Sequence, residues 1–327
     1  MATSKRLARQ RALSSQKAQH ERRMTWLKRA IAVAVIALAA GLLYNTLSGY
    51  SLDQILQSIK AIPLLRLALA AGFAAASYFC LSWFDWLAVR YAGTPLPYRR
   101  CALASFCSLS LGHNIGFAAL SSGAIRYRFY SRWGMSVGQI AKLIIFCGVT
   151  VGLGLLTLAG IALLWRPDLA AKMIGLAPSF AMALGALCLV LSGLYLVLAA
   201  FLRRKVKIKN WTLPMPELKF AAAQIGIGSA NFACVAGCLH QTLSAVGDLP
   251  YFAVAAAYVI ANASALLTHV PGGLGVIESV VMFLIPGGAV IGALVMFRVI
   301  YFLLPLCIGG PLFGLTEIYF RGKQRVR

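Results

Sequence analysis

Long runs of apolar residues, separated by short clusters of Lys and Arg, form the main pattern of this chain. A helix needs about 20 apolar residues to cross the hydrocarbon core of a bilayer. Runs of roughly this length lie at 30–47, 64–89, 137–164, 178–202, 220–243, 251–267 and 289–320. The pattern predicts an all-α, polytopic membrane bundle with about eight crossings and broken or re-entrant segments, and the helical spacing of Leu and Ile at 51–62 predicts a short interfacial helix.

One apolar segment, 102–119, is better explained as a re-entrant hairpin than as a crossing. Arg99 and Arg100 precede it, and Arg126, Arg128 and Arg132 follow it. A crossing would place these two clusters on opposite sides of the membrane, against the tendency of Lys and Arg to remain on the cytoplasmic side. A hairpin keeps both clusters cytoplasmic.

The stretch 268–278, Thr-His-Val-Pro-Gly-Gly-Leu-Gly-Val-Ile-Glu, interrupts the apolar pattern with one Pro and three Gly. Broken backbone at membrane depth is tolerated only against protein or a water-filled cavity, and an ionisable residue there costs about 2.5 to 3.5 kcal/mol on insertion scales. A helix that starts after the break presents free N–H groups to an anion, and an Arg can bind a phosphate with two hydrogen bonds. We therefore predict a polar site inside the membrane, formed by Gly272, Gly273, Gly275, Glu278 and Arg298.

The same residues have structural alternatives. Glu278 and Arg298 either bind a substrate or simply pair with each other to lock two helices. Arg126 and Arg128 either form a second collar of positive charge at the cytoplasmic mouth or extend to lipid headgroups.

Asp85, in the second span, has alternative interpretations as well. It is either an interface carboxylate near headgroup level, or a carboxylate paired with Arg90, or part of the polar site.

A weak internal symmetry links the two halves of the chain. His113-Asn114-Ile115-Gly116 in the first half resembles His269-Val270-Pro271-Gly272 in the second. Paired broken segments are typical of transporters with a central site. His113, Asn114 and His269 are therefore candidate lining residues, although His113 and Asn114 could equally be a satisfied polar pair inside a helix bundle.

Composition agrees with a membrane protein and argues against most enzymes. The chain is 60% hydrophobic and 12% charged, with a mean hydropathy of +0.80 and a formal net charge of +23. Its Lys and Arg concentrate at segment ends and in a basic tail, so we predict a cytoplasmic tail at 1–29, a transmembrane domain at 30–320 and a basic cytoplasmic terminus at 321–327. The tail lacks the aromatic or Gly pattern of a nucleic-acid-binding segment.

Motifs for catalysis or metal binding are missing from the sequence. There is no HExxH, GxSxG, CxxC or P-loop, and the eight Cys fall mostly in apolar runs. We therefore predict a non-enzyme without metal or cofactor, in which the Cys act as small buried residues.

Three stretches together resemble a known family: Pro-Gly-Gly-Leu-Gly-Val-Ile-Glu at 271–278, Phe-Arg-Val-Ile-Tyr-Phe-Leu-Leu-Pro at 297–305 and Ser-Gly-Ala-Ile-Arg-Tyr-Arg-Phe-Tyr at 122–130. They are similar to the transmembrane region of bacterial lysylphosphatidylglycerol synthetase/flippase proteins, the multiple peptide resistance factors, and their stand-alone relatives. The resemblance implies an inner-membrane bundle that moves phospholipids between leaflets with the help of intramembrane acids and an Arg.

In this resemblance, Glu278, Arg298 and Arg126 match positions of the family's motifs. Asp85 matches only loosely, as an acid in the second span. The synthetase members also carry a soluble acyltransferase domain. This chain stops seven residues after Phe320, so aminoacyl transfer is not expected.

The sequence thus predicts a bacterial inner-membrane protein, with both termini cytoplasmic, that binds and translocates an anionic phospholipid. Two alternatives stay open: a scaffold or accessory subunit for a lipid-synthesis enzyme, and a transporter of a small anion. Homo-oligomerisation is compatible with each. If protons drive transport, Glu278 and Asp85 are the first candidates to carry them.

Overall fold

The computed structural model describes residues 52–325, with gaps at 116–117, 169–176, 202–204, 209–210, 269–274 and 285–289. The predicted basic tail at 1–29 and the first span at 30–47 lie outside the described residues. So do Gly272, Gly273 and His269.

The described residues form a bundle of helices, as predicted. In chain order the elements are α1 (Leu52–Lys60), α2 (Leu64–Tyr91), α3 (Tyr98–Ile115), α4 (Ala118–Arg132), α5 (Val137–Trp165), α6 (Pro178–Phe201), β1 (Lys205–Ile208), β2 (Trp211–Pro214), α7 (Leu218–Leu243), α8 (Tyr251–Thr268), α9 (Val276–Leu284), α10 (Val290–Arg298), a π-helical turn (Val299–Leu303) and α11 (Leu304–Arg325).

Five described helices are long and apolar enough to cross a bilayer: α2, α5, α6, α7 and the stretch from Val290 to Phe320. Helix α8 is apolar but shorter, at Tyr251–Ala265. The outer surface of the bundle carries large apolar side chains such as Phe79, Leu187, Val190 and Ile318. Lipid chains can cover such a surface, whereas water would not.

Helices α3 and α4 form the predicted hairpin. Gly112 of α3 and Ser122 of α4 lie so close that a Cβ on Gly112 would be 2.9 Å from the Ser122 Cβ. At the open end of the hairpin, the Arg100 guanidinium lies 5.8 Å from the Trp133 ring centroid. Both basic clusters are therefore at the same end of the bundle. We call this the basic end and define it by Arg90, Arg99, Arg100, Arg128 and Arg132.

Small residues bring α5 and α7 into direct backbone contact. A Cβ on Gly154 would lie 2.3 Å from the Gly228 carbonyl carbon. Close backbone approach at Gly is the usual way in which membrane helices gain packing energy, since lipid gives no hydrophobic drive for their association.

Strands β1 and β2 were not predicted from the sequence. They form a two-stranded antiparallel ladder in which Lys205 is opposite Pro214 and Ile208 is opposite Trp211. The sequence Lys-Val-Lys-Ile alternates charged and β-branched residues, which is the strand pattern. Sequence reasoning considered only its charge.

Pro305 explains the π-helical turn between α10 and α11. Proline has no N–H and cannot donate to a carbonyl one turn earlier, so the regular hydrogen-bond ladder is interrupted just before it. The Leu304 N–H donates instead to the Val299 carbonyl, five residues back. Such π-helical turns often occur at functional sites.

Candidate functional site

The first polar cluster joins Glu278 in the first turn of α9 to Arg298 at the end of α10. Arg298 donates from Nε to Oε1 and from Nη2 to Oε2 of Glu278, the latter over 2.9 Å. The backbone N–H of Gly275 donates to Oε2 over 2.8 Å. Gly275 has a φ of 78°, which suits Gly at the turn that starts the helix. Glu278 and Arg298 are only 4% and 7% exposed, so the charges are paired inside the bundle.

The second polar cluster joins Asp85 of α2 to Arg126 of α4. Arg126 donates from Nε to Oδ2 over 3.0 Å and from Nη2 to Oδ1 over 2.7 Å. Tyr130, one turn further along α4, donates its hydroxyl to Oδ2 over 2.8 Å, and the Cys147 thiol contacts Oδ1 at 3.7 Å. Asp85 is fully buried and Arg126 is 4% exposed, so this is a second charge pair inside the protein.

One sequence interpretation of Asp85 is wrong. Asp85 is fully buried and pairs with Arg126 rather than with Arg90. The Arg90 guanidinium lies over the Trp86 ring, 3.1 Å from its centroid. An Arg five residues after Asp85 is on a different face of the helix, because neighbours on one face are spaced by three or four residues.

Arg126 and Arg128 do not form one collar. Arg126 points inward to Asp85, whereas Arg128 is exposed and binds the Glu317 carboxylate of α11 over 2.8 Å. Residues two apart on a helix face different directions, so this separation is a consequence of helical geometry. Arg132, one turn after Arg128, donates to both oxygens of Glu317 over 2.7 and 3.0 Å.

The two buried pairs lie at different depths. Asp85 is five residues from Arg90, or about 8 Å along α2 from the basic end. Arg298 is nineteen residues before Glu317, or about 28 Å along α10 and α11 from the same end. The charges are therefore distributed through the bundle rather than gathered at one level.

A third polar cluster lies between the two pairs. The Ser77 hydroxyl donates to Asn231 Oδ1 over 2.7 Å and shares a 2.9 Å hydrogen bond with the Tyr301 hydroxyl. The Tyr78 hydroxyl donates to the Tyr301 carbonyl over 3.4 Å. This network joins α2, α7 and the π-helical turn.

The predicted residues His113 and Asn114 border this third cluster, but they do not bond to each other. Asn114 donates from Nδ2 to the Ser110 carbonyl over 2.8 Å and to the Phe302 carbonyl over 3.3 Å. His113 stacks on Tyr301 with 6.4 Å between ring centroids and 19° between planes. Its Nδ1 is buried and has no hydrogen-bond partner among the described residues.

We call these three clusters together the polar line: Asp85, Arg126 and Tyr130; then Ser77, Tyr78, His113, Asn231 and Tyr301; then Gly275, Glu278 and Arg298. Sequence reasoning missed Tyr130, Ser77, Tyr78, Asn231 and Tyr301. A signal existed for Tyr130, which follows Arg126 by four residues and so shares its helix face. No local pattern distinguishes Ser77 or Asn231 from other polar residues in apolar runs.

A metal centre has no support in the part of the chain that the structure describes. No three His, Cys, Asp or Glu side chains come together there in a way that could hold an ion.

Comparison with known proteins places the chain in a family. The family described as the lysylphosphatidylglycerol synthase TM region matches residues 29–309. A protein of Synechocystis named uncharacterized protein slr0712 is 31% identical over 300 residues, which cover 90% of this chain and 93% of the relative. The inner membrane protein YbhN of Escherichia coli K12 is 29% identical over 272 residues, which cover 78% of this chain and 81% of YbhN. These matches, together with the helical membrane fold, show that the chain belongs to the lysylphosphatidylglycerol synthase transmembrane-region family.

Proposed function

We propose that this protein binds the headgroup of an anionic phospholipid inside the bundle and moves the lipid between the leaflets of the bacterial inner membrane. The observation that carries the proposal is the burial of two arginines at different depths, each held by a carboxylate. The basic end faces the cytoplasm in this proposal, because Lys and Arg are retained on that side.

Two buried ion pairs are a poor way to stabilise a helix bundle. Desolvation of both charges can exceed their attraction, and apolar residues of similar volume often do as well or better. Ionisable residues at membrane depth are therefore functional candidates by default. The burial of Arg126 and Arg298 therefore favours a binding role for them over a purely structural one.

A phosphate can take the place of the carboxylate on either arginine. The guanidinium presents two parallel N–H donors, which fit a phosphate and a carboxylate equally well. When a phosphate binds Arg298, Glu278 keeps its hydrogen bond from the Gly275 N–H at the start of α9. The exchange thus leaves no carboxylate without a donor.

The middle of the polar line supplies the intermediate step. A headgroup that leaves one arginine has to cross the apolar centre of the bundle before it reaches the other. The hydroxyls of Ser77 and Tyr301 and the amide of Asn231 offer hydrogen bonds along that route. The name of the family, which refers to a phospholipid synthase, is also consistent with a phospholipid as the ligand.

The test is lipid exchange in proteoliposomes that contain the purified protein. The outer-leaflet loss of fluorescent phosphatidylglycerol is followed for the wild type, Arg298→Ala and Arg126→Ala. Lys219→Ala is the matched control, because Lys219 is exposed and forms its ion pair with exposed Glu217, outside the polar line. We expect acceleration by the wild type and by Lys219→Ala, and a loss of about tenfold or more in the two arginine variants, as for a charge-assisted contact of at least about 1.4 kcal/mol.

Normal exchange by Arg298→Ala and Arg126→Ala would remove the polar line from the mechanism. If folded wild-type protein accelerates no anionic lipid, the accessory-subunit interpretation replaces the proposal.

A further inference from the structure

We propose that His113 is the proton-binding site of the polar line, and that an anionic headgroup crosses the bundle together with a proton on this imidazole. The inference rests on the proposed function, but the binding of a proton by His113 can be measured without any lipid movement.

While each is paired with its arginine, the two buried carboxylates are badly placed to carry a proton. Asp85 already accepts hydrogen bonds from Arg126, Tyr130 and Cys147. Glu278 accepts them from Arg298 and from the Gly275 N–H. A proton arriving on either carboxylate would have to displace a donor that is already bound.

His113 has the opposite arrangement. Its Nδ1 is buried without a hydrogen-bond partner in the described part of the chain, and such an atom in a native fold calls for an explanation. Imidazole is the side chain that gains and loses a proton near neutral pH. An available nitrogen on an imidazole, in the middle of a polar line, is suited to take up a proton.

The aromatic surroundings of His113 attract a positive charge, whereas burial and the charge of Arg126 oppose it, so the proton binds together with the anionic headgroup. Three aromatic rings enclose His113, with centroids at 6.4 Å for Tyr301, 6.5 Å for Tyr78 and 6.3 Å for Phe302. Aromatic faces attract cations through their quadrupole.

The groups that face His113 come from each neighbouring element. Arg126 of α4 acts on His113 electrostatically, and its charge is balanced by Asp85 of α2. Phe302 contacts His113 on one side and lies 5.4 Å from the Arg298 guanidinium on the other, and Arg298 is balanced by Glu278. Tyr78 from α2 and Tyr301 from the π-helical turn face His113, and Arg126 from α4 acts on it through its charge. Helix α11 contacts α3 through Gly309, which lies against Ser110 and is not titratable.

This position gives the proton a role in charge balance. Each arginine is neutralised by its own carboxylate, so a phosphate at the centre of the bundle has no cation of its own. A protonated His113 supplies one positive charge for one negative headgroup, and the two cross the apolar centre with no net charge. Burying such a pair costs less than burying the phosphate alone.

The experiment has two measurements. The first is a pH titration of the imidazole ¹⁵N resonances of the protein in lipid nanodiscs, without transport. We expect one wild-type resonance, missing from His113→Gln, to titrate between about pH 8 and about pH 4, because burial and the nearby Arg126 oppose the charged imidazole. A His113 resonance that does not change over this range overturns the inference.

The second measurement is exchange of fluorescent phosphatidylglycerol in proteoliposomes with an imposed pH gradient. We expect the gradient to change the wild-type rate several-fold and to leave the rates of His113→Gln and His113→Phe unchanged. Phe retains the ring contacts with Tyr78 and Tyr301, so it tests the proton separately from the packing. His240→Gln, whose imidazole bonds to the Leu249 carbonyl outside the polar line, is the control and should behave as wild type.

The outcomes separate the two proposals. If the wild type accelerates exchange and His113→Phe responds to the gradient as the wild type does, proton coupling through His113 is wrong while lipid movement stands. If the wild type accelerates no lipid, the proposed function fails, and with it the coupling.

Discussion

Arg298 and Glu278, twenty residues apart in the chain, hold each other inside the bundle, with Nη2 of Arg298 2.9 Å from Oε2 of Glu278. The pair fastens the start of α9 to the end of α10. Each member is therefore the main compensation for the buried charge of the other.

We expect Arg298→Ala and Glu278→Ala each to lower the free energy of unfolding by about 3 to 5 kcal/mol, because each leaves an uncompensated buried charge. The double variant Glu278→Leu with Arg298→Met should lose less free energy of unfolding than either single variant, since it buries no charge. Unfolding of the purified proteins in micelles measures the stability of each variant relative to the wild type. If the double variant loses as much free energy of unfolding as the two single variants together, Glu278 and Arg298 are not coupled.

The pair of Asp85 and Arg126 predicts stability losses of different size for substitutions of its hydrogen-bonding residues. Tyr130→Phe removes one hydrogen bond to Asp85 but leaves the bonds from Arg126, so we expect a loss of about 1.5 to 3 kcal/mol. Asp85→Asn should lose more free energy of unfolding than Tyr130→Phe, because Arg126 then stays buried without a carboxylate. The control is Tyr127→Phe on the same helix, where the side chain is exposed. Equal effects of Tyr127→Phe and Tyr130→Phe would be inconsistent with the observed network.

The contact of α5 with α7 predicts opposite effects for two neighbouring glycines. A Cβ on Gly154 would lie 2.3 Å from the Gly228 backbone, and neither backbone can move aside without separating the helices. We expect Gly154→Ala to lower the thermal unfolding midpoint, with a cost of about 1 to 3 kcal/mol.

Gly152 lies in the same helix, and nothing is within 4 Å of the corresponding Cβ position. Gly152→Ala should therefore be neutral or stabilising by up to about 1 kcal/mol, as expected for replacement of Gly in a helix. Equal shifts of the unfolding midpoint in Gly154→Ala and Gly152→Ala would contradict the close contact of α5 with α7.

The basic end predicts a difference between two arginines that share Glu317. Arg132 binds both carboxylate oxygens and is 22% exposed at its side chain, whereas Arg128 binds one oxygen and is 46% exposed. Exposed ion pairs contribute about 0 to 1 kcal/mol and weaken with salt. We expect Arg132→Ala to lower the free energy of unfolding more than Arg128→Ala at low salt. The difference between the two variants should be smaller at high salt. Denaturant unfolding at two salt concentrations checks both points.

Much of the fold could be predicted from local patterns. Apolar runs identify α2, α5, α6 and α7, because the bilayer imposes a minimum length on a crossing helix. The α3 and α4 hairpin followed from the positions of Arg99, Arg100 and the arginines of 126–132, since charge is expensive to move across a membrane. The turn at Gly275 followed from the Gly-rich break.

The strand pair at 205–214 was missed for a different reason. Its Lys residues were interpreted only as a charge cluster, and the alternation with Val and Ile was not used. The separation of Arg126 from Arg128 was equally available from helical geometry, because two residues two positions apart cannot face the same partner.

The sequence by itself determined that this is a helical membrane protein of one family, with charged residues inside its apolar segments. It also determined where the chain turns, since those signals are local. Only the tertiary structure decided which partner each buried group meets: Asp85 bonds to Arg126, 41 residues away, and Ser77 bonds to Asn231, 154 residues away. The physical reason is that a helix presents a group on one face, and the packing of helices against each other selects the partner that the face meets.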